Sequence, residues 1–355
     1  MTAQLRPLAD LRVVELSVAG SAATCASFMV AFGAQLVRIG RVDAPSSVDA
    51  AMSGFTSVDF GADRETMPVD LKSAAGRETV LRLVERADAV IEGFRPGVAE
   101  RLGLGPEECL ARNPRLVYCR ATGWGQQGEQ AGVAGHDTNF VAVSGALRAL
   151  ARDGSAPIVP LNLIGEMAGG LHAALALVSS VHHSRRTGAG VVIDVAQAET
   201  AAALMRSVYA MHAAGDWTDP GRNHLDGGAP FFNVYETSDA EYVAVTAIEP
   251  HRYELLLRGL GLDPAELPAQ LDRDSWPRMT ERLAAVFRTR TRSEWCDLLE
   301  RSEVCLTPVL SLDEAPSHPV NAVRGVFDPL PRLAPPMWSA EPGNERWWAE
   351  CPVPK

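Results

Sequence analysis

Short apolar segments alternate with helical segments along the first half of the chain, and this alternation limits the fold more than any other feature. Leu11–Leu16 (LRVVEL) has the composition of a buried strand, a helical segment spans 25–32, and Gln35–Ile39 (QLVRI) is a second strand. Gly33 follows the helical segment, where a helix C-cap favours glycine. Because strands connected through a helix run parallel in one sheet, the sequence predicts an α/β fold with a Rossmann-like sheet.

The same alternation continues to residue 195. Predicted helices at 73–86, 106–112 and 165–184 alternate with predicted strands at 89–91, 116–121 and 191–195. The turn after the first strand has no G-x-G-x-x-G, and the glycine-rich loop 123–128 has no Lys-Ser/Thr pair. The sequence therefore contains neither the dinucleotide fingerprint nor a phosphate loop at these turns.

The pattern changes in the second half of the chain and indicates a smaller α+β domain. An alternating β-rich stretch over 231–250 precedes helices near 251–259, 277–288 and 293–301, the last with Ser293 as its N-cap. We predict a large domain from 1–196 and 325–355, a small domain from 231–305, and linkers at 197–230 and 306–324. A Pro-rich tail begins near Ser317, contains three tryptophans and is expected to lie on another surface.

Charge and cysteine content exclude several functional classes. A net charge of −11 argues against nucleic acid as the main partner. The six cysteines form no C-x-x-C pair and no zinc spacing with histidine, so we predict no metal site. The first residues lack the apolar run of a signal peptide, and the run near Leu171–Val181 is too short to span a bilayer. We therefore predict a cytoplasmic protein with no membrane partner.

Two ionisable side chains stand out because each lies at the start of a predicted helix. His136 is in Gly-His-Asp at 135–137, and Glu166 is in Pro-Leu-Asn-Leu-Ile-Gly-Glu at 160–166. An imidazole and a carboxylate that face one substrate carbon can remove a proton from one side and return it from the other. The alternative is that each is a helix-start residue, favoured there by capping or by the helix dipole.

Motifs spread over residues 8–330 resemble those of the family III CoA-transferases, and within them the α-methylacyl-CoA racemases. The motifs are LRVVEL (11–16), VRIGR (37–41), VDLKS (69–73), IEGFRPGVAERLGLGP (91–106), ATGWGQQG (121–128), AGHDTNF (134–140), PLNLIGEMAGG (160–170), TGAGVVIDVAQAE (187–199), GGAPFF (227–232), AIEPHRYELLLRGLGL (247–262) and VCLTPVLSLDEA (304–315). Their order and spacing are those of the family.

This resemblance implies a large Rossmann-like domain built from both ends of the chain and a small domain from its middle. It also implies an obligate homodimer of two interlocked chains. Each active site would then lie between the large domain of one subunit and the small domain of the other.

The resemblance assigns roles to residues of the site. His136 matches the catalytic histidine, and the backbone N–H of Asp137 matches a group that holds the thioester oxygen. Glu249, in Ala-Ile-Glu-Pro, matches the carboxylate that orients the histidine. Glu166 stands where the racemases have their second base and the transferases their nucleophile, an aspartate in both groups.

The CoA moiety is expected to bind as part of the substrate, with no separate cofactor. The positions that match the family's CoA site, mostly basic, are Arg38, Arg41, Lys72, Gly93, Arg95 and Arg101. An acyl-CoA is therefore the predicted small-molecule partner.

Several positions depart from the family pattern. Glu166 is one methylene longer than the family's aspartate, which displaces the carboxylate by about 1 Å. The segment 61–65 reads GADRE and has two acidic residues where CoA phosphates favour Lys or Arg. The first loop, 17–25, reads SVAGSAATC in place of a Gly/Pro-rich turn.

Three interpretations remain open from the sequence. The favoured one is an acyl-CoA racemase or epimerase that acts through an enolate of a 2-methylacyl-CoA-like thioester. The second is a CoA-transferase with a carboxylate nucleophile. The third is a divergent enzyme or binding protein that uses the same fold without CoA.

Overall fold

The computed structural model describes residues 5–16, 19–42, 64–152, 154–328 and 330–333. These residues form two compact units. The first takes its described residues from the ranges Met1–Ala146, Val159–Met205 and Leu330–Lys355, and the second from Leu147–Ile158 and Arg206–Pro329. Residues 61–63 of the altered GADRE segment and the tail from 334 onward lie outside the described residues.

A six-stranded parallel sheet forms the centre of the first unit, so the predicted α/β fold with a Rossmann-like sheet is confirmed. The strands are β1 (Arg12–Leu16), β2 (Gln35–Gly40), β3 (Glu65–Pro68), β4 (Ala89–Glu92), β5 (Val117–Thr122) and β6 (Val191–Ala196). Their order in the sheet is β3-β2-β1-β4-β5-β6, and every neighbouring pair is parallel. The sequence analysis missed β3, a four-residue edge strand that ends in proline and is mostly exposed.

Helices cover both faces of this sheet. The helices of this part of the chain are α1 (Gly20–Ala31), α2 (Ala74–Val84), α3 (Val98–Arg101), α4 (Pro106–Arg112), α5 (Asp137–Val143), α6 (Ala146–Ala149), α7 (Ala168–Thr187) and α8 (Gln197–Leu204), of which α6 falls mostly in the range of the second unit. Val13 and Val14 show why the strands read as continuous apolar runs, because each packs into a different core. Val13 packs with residues of α1 and α7, whereas Val14 packs with residues of α2 and α4.

The helical stretch Leu163–Thr187 is long and apolar enough, by length and composition, to meet the criteria for a membrane span, and it is the one such stretch in the described residues. Its inner face contributes Ala173, Ala174, Leu177 and Val181 to the core beneath β1 and β5. A core helix of an α/β unit meets the same criteria, and this packing is of that kind.

The second unit contains an antiparallel sheet covered by helices. Its strands are β7 (Phe232–Glu236), β8 (Tyr242–Thr246) and β9 (Leu306–Pro308), in that order. Its helices are α9 (Arg206–Ala213), α10 (Pro250–Gly259), α11 (Trp276–Phe287), α12 (Arg292–Leu299) and α13 (Pro319–Arg324); two short strands, β10 (Phe327–Asp328) and β11 (Leu330–Pro331), follow in the chain. The core combines aromatic residues of these helices with the inner face of β7 and β8.

Three local features differ from the sequence-based expectation. The segment 306–324, predicted as a linker, contributes β9, because Leu306 is buried and pairs with Val245. The segment 197–230, predicted as a linker, begins with two helices, α8 and α9, and the Met205 N–H donates to the Ala202 carbonyl between them. Helix α12 begins at Thr291 and not at Ser293, because Thr291 and Glu294 form a reciprocal capping box.

Candidate active site

Most of the predicted site residues of the first unit follow the carboxyl ends of its parallel strands. The strands β2 and β3 lie on one side of β1, and the strands from β4 onward lie on its other side. The strand order therefore reverses between the neighbouring strands β1 and β4. In open parallel sheets, ligands bind at such a switch point, outside the carboxyl ends of the strands. Loops that follow β2, β4 and β5 carry most of the residues predicted to bind CoA and to move protons.

His136 is the N-cap residue of α5 and has an extended backbone. Its backbone N–H donates to Oδ1 of Asn139 at 3.0 Å, while its side chain is exposed. The preceding loop packs closely on Phe140, whose ring makes an edge contact with Trp124 at 4.7 Å. A Cβ at Gly135 would lie 2.7 Å from that ring, so a glycine is needed where the loop turns into His136.

Glu166 lies in a single π-helical turn, Leu163–Met167, immediately before α7. The two residues that immediately precede this turn, Leu161 and Asn162, have left-handed backbones with φ of 52° and 60°. Non-glycine residues adopt this conformation at a cost of about 1–3 kcal/mol each, and such strain concentrates at functional sites. Isolated π-turns also occur frequently at functional sites, and this one places Glu166 at the head of the long helix.

The side chain of Asp137 links the two helix starts. Its Oδ2 accepts a hydrogen bond of 2.6 Å from the backbone N–H of Glu166, and Asp137 is only 3% exposed. A Cβ on Gly165 would lie 2.8 Å from this same oxygen and 3.0 Å from Oε1 of Gln197. Glycine at 165 therefore allows the Asp137 carboxylate to reach the π-turn.

Burial is the largest influence on the Glu166 carboxyl and raises its pKa above the ordinary value. The negative charge of Asp137 raises this pKa further, and the neighbouring His136 lowers it in part. The hydrogen bond places Asp137 beside Glu166, and the electrostatic influence of His136 shows that it lies near the same carboxyl; their roles in proton transfer stay a prediction. A carboxyl group with a raised pKa exchanges protons more readily near neutral pH.

The positions predicted to bind CoA divide into two groups. Arg41, Lys72, Gly93, Arg95 and Arg101 are exposed and lie at or after the ends of β2, β3 and β4. Arg38 instead pairs with the buried Glu15 at 3.1 Å, because the register of β1 and β2 places these two residues side by side.

Arg64 belongs to the altered GADRE segment, yet its side chain is buried. It contacts the same Glu15 at 3.0 Å and donates to the hydroxyl of Ser27 at 2.8 Å. The guanidinium groups of Arg38 and Arg64 therefore both contact one buried carboxylate beneath the loops. Whether Arg38 also contacts CoA stays a prediction.

Sequence analysis missed a second buried ion pair beneath the predicted CoA loop. Arg120 lies opposite Glu92 in the register of β4 and β5, with Nε 3.0 Å from Oε2 of Glu92. Arg120 also contacts Glu100 at 2.7 Å, and Oε1 of Glu92 accepts from the N–H of Phe94 at 2.6 Å. These contacts brace the loop that carries Gly93, Arg95 and Arg101.

Burial raises the pKa of Glu92 to about 7, against the opposing effect of Arg120. The signal in the sequence was a charged residue within an otherwise apolar strand. A charge at such a position requires a partner, and the pairing of the strands supplies it.

Glu249 lies in the second unit, as the N-cap residue of α10. Its carboxylate is 53% exposed and Oε2 lies 3.3 Å from Nε of Arg252. The orientation of His136 by Glu249 stays a prediction. The sequence analysis did not single out Arg252, although an acidic residue and a basic residue three positions apart in a helix are expected to meet.

Within the described part of the chain, no group of three or more His, Cys, Asp or Glu side chains is arranged to hold a metal ion.

Comparison with known proteins places these residues in a family context. A family model described as CoA-transferase family III matches residues 8–352. Alpha-methylacyl-CoA racemase from Homo sapiens is 41% identical over 336 residues, which cover 92% of this chain and 86% of the racemase. A probable fatty acyl-CoA transferase from Mycobacterium tuberculosis is 27% identical and covers 83% of this chain and 80% of the transferase.

A solved structure shows the same architecture. The crystal structure of a CAIB/BAIF family protein from Brucella suis matches with a TM-score of 0.81 at 21% identity, over 98% of this chain and 100% of that one. At this identity the likeness concerns the fold alone, with its parallel six-stranded sheet and its small antiparallel sheet.

Proposed function

The chain belongs to CoA-transferase family III, as its motifs predicted, and from this membership we propose that it is an acyl-CoA racemase or epimerase. The reaction would invert the α-carbon of a 2-methylacyl-CoA-like thioester. The observation that carries the proposal is the hydrogen bond from the Glu166 N–H to Asp137, which links the helix start after His136 to the π-turn that holds a half-buried carboxyl of raised pKa. The racemase from Homo sapiens supports the substrate class.

In the proposed reaction, His136 and Glu166 exchange protons with opposite faces of the α-carbon. One removes the α-proton and the other returns a proton from the opposite side, so that either epimer can be the substrate. The α-proton of a thioester is a very weak acid, and its removal requires a stabilised enolate oxygen. The backbone N–H of Asp137 at the start of α5 is suited to this, because helix N-termini favour negative charge.

The side chain of Asp137 has a separate part in this proposal. Its bond to the Glu166 N–H holds the π-turn, and its negative charge favours the protonated form of the Glu166 carboxyl. Glu249 would orient the His136 ring, as the resemblance implies.

The exposed cations at the strand ends would hold the CoA phosphates. Arg41, Lys72, Arg95 and Arg101 lie at the edge where an anionic ligand fits the switch point of the sheet. Loss of one charge-assisted contact weakens binding by about 1–3 kcal/mol. Calorimetry on Arg41→Ala and Arg101→Ala should show this loss for an acyl-CoA.

A homodimer is part of the proposal. Large apolar side chains are exposed around the π-turn and along α7, among them Leu161 at 81%, Leu171 at 52% and Leu175 at 66%. Exposed apolar side chains of this kind are suited to contact with a partner subunit. Sedimentation over a wide range of dilution should show a dimer, and a stable folded monomer would contradict this part of the proposal.

The function is tested by incubating single epimers of a 2-methylacyl-CoA with the protein in D₂O. We expect deuterium at the α-carbon and formation of the other epimer, with no second carboxylic acid present. A CoA-transferase would instead require an acceptor acid and would move CoA to it. Transfer without epimerisation would replace the proposal with the transferase function, to which the Mycobacterium tuberculosis relative points.

The third interpretation is tested separately by binding. If neither activity occurs and calorimetry detects no CoA binding by the unmodified protein, the chain uses the fold without CoA. Mass spectrometry of the purified protein for retained CoA species gives an independent measurement.

A further inference from the structure

Glu249 is held by an arginine that is itself anchored on two sides. Nε of Arg252 lies 3.3 Å from Oε2 of Glu249, and its Nη2 lies 3.5 Å from Oε2 of Glu303. Its Nη1 donates to Sγ of Cys305 at 3.0 Å. All four residues belong to the second unit.

The Cys305 anchor is rigid for a backbone reason. Cys305 has a left-handed backbone with φ of 54°, and its carbonyl accepts the N–H of Thr246 at the end of β8. The strained backbone is held by a bond to the sheet and followed at once by β9. The guanidinium is thereby tied to the sheet of the second unit as well as to helix α10.

Glu249 needs such support because its own environment leaves it free to move. Its carboxylate is half exposed, and a glutamate side chain has several rotatable bonds that cost entropy to order. The guanidinium is planar, so the contacts of its Nη atoms with Cys305 and Glu303 fix the orientation of the Nε that faces Glu249. Arg252 engages Oε2, and a carboxylate has further acceptor positions for an imidazole N–H.

We propose that Arg252 is a positioning residue, which holds the Glu249 carboxylate in one orientation through its anchorage on Cys305 and Glu303. This inference rests on the proposed function, because it assigns Arg252 a part in the epimerisation. Arg252 would act on the reaction only through Glu249 and would not touch the substrate.

The test is the steady-state kinetics of epimerisation for Arg252→Ala, Arg252→Lys and a matched control. Because small misplacements of an active-site group lower rates strongly, Arg252→Ala should lower kcat about tenfold and leave KM within about twofold. Arg252→Lys retains the charge without the fork and should fall between the alanine variant and the unmodified protein. The control is Arg288→Ala, which removes another exposed arginine paired with a glutamate, Glu236, in the same unit and should leave kcat unchanged.

A double variant separates positioning from a general effect on folding. In a Glu249→Gln background, Arg252→Ala should lower kcat by less than about twofold, because residues that act through one group are not additive. Circular dichroism melting of each variant checks that the fold is retained.

The inference is overturned if Arg252→Ala keeps the kcat of the unmodified protein. It is also overturned if the loss is undiminished in the Glu249→Gln background. Failure of the proposed function is distinguishable, because the unmodified protein itself would then show no epimerisation.

Discussion

The proposed reaction uses two carboxylates, Glu166 and Glu249, which lie in opposite environments. Glu166 is half-buried in a π-turn, next to a second carboxylate, and its pKa is raised by burial and by that neighbour. Glu249 is half exposed at the start of a helix and is paired with Arg252. The first environment favours the protonated form of the Glu166 carboxyl, whereas the second pairs the Glu249 carboxylate with a guanidinium group. Because their surroundings differ, we expect the two glutamates of the proposed mechanism to perform different tasks.

The largest expected effect is that of His136→Ala. In the proposed reaction the His136 imidazole transfers a proton, and loss of a general base typically costs about 10²–10⁴-fold in rate. We expect epimerisation of a 2-methylacyl-CoA to fall by at least about 10³-fold. The control is His183→Ala, an exposed histidine at the end of α7, which should leave the rate unchanged. Retention of activity by His136→Ala would remove the imidazole from the mechanism.

The variants Glu166→Gln and Glu249→Gln test whether the two glutamates differ in task. If Glu166 carries a proton, Glu166→Gln should lower epimerisation by about 10²-fold or more. The face served by His136 should still exchange its proton for deuterium in one epimer. If Glu249 only orients the imidazole, Glu249→Gln should lower the rates of epimerisation and of deuterium exchange by about tenfold each. Equal losses in the two variants would show that the two glutamates do not differ in task.

Asp137→Asn sharpens the account of why Glu166 is different. Asparagine keeps an oxygen to accept the Glu166 N–H but removes the negative charge that raises the pKa of the Glu166 carboxyl. That carboxyl should then lose its proton at lower pH. The acidic limb of the rate profile should therefore move to lower pH for the epimer that Glu166 deprotonates. The maximal rate should change by about tenfold or less.

The pH profile of Asp137→Ala provides the reference, because alanine removes both the charge and the hydrogen bond. An acidic limb that stays in place in Asp137→Asn would show that the charge of Asp137 does not act on Glu166.

The smallest expected effect concerns stability. The folded-state pKa of Glu166 is raised above its unfolded value, so its contribution to stability is present below about pH 4.5 and is lost as pH rises through the folded-state pKa. Glu166→Gln should therefore raise the melting temperature near pH 8, and the gain should vanish near pH 4. Glu249→Gln removes an exposed ion pair and should cost less than about 1 kcal/mol. Thermal melts of both variants across this pH range check the sign, and destabilisation by Glu166→Gln near pH 8 would contradict it.

Some strands and helix ends could be predicted from the sequence, and others could not. The strands around Val14, Val90 and Tyr118 were predictable, because each is a short apolar run buried on both faces of a parallel sheet. The edge strand Glu65–Pro68 was not, because nothing in its composition separates it from a loop. Thr291 and Ser293 both suit an N-cap, and only the reciprocal bond with Glu294 decided between them.

The site divides in the same way. Motif spacing placed His136, Asp137 and Glu166 in one site, and the Asp137–Glu166 hydrogen bond agrees with it. The π-turn and the left-handed pair before it were not predictable, because they arise from packing and not from local propensity. Arg38 was predicted as a CoA ligand because it matches a basic position of the family's CoA site, and the register of β1 and β2 gives it a buried partner, Glu15.

The sequence alone was enough to predict the α/β class, the family and the residue types available for proton transfer. These depend on periodicity and on motifs, both of which are local properties of the chain. Only the tertiary structure decided which charges are paired and which carboxyl groups are buried, as for Glu92 and Arg120, or for Glu249 and Arg252. Such pairings join residues through strand register, helix geometry and burial. Since pKa and orientation follow from these surroundings, the task that we propose for each carboxylate depends on the fold and not on the residue type.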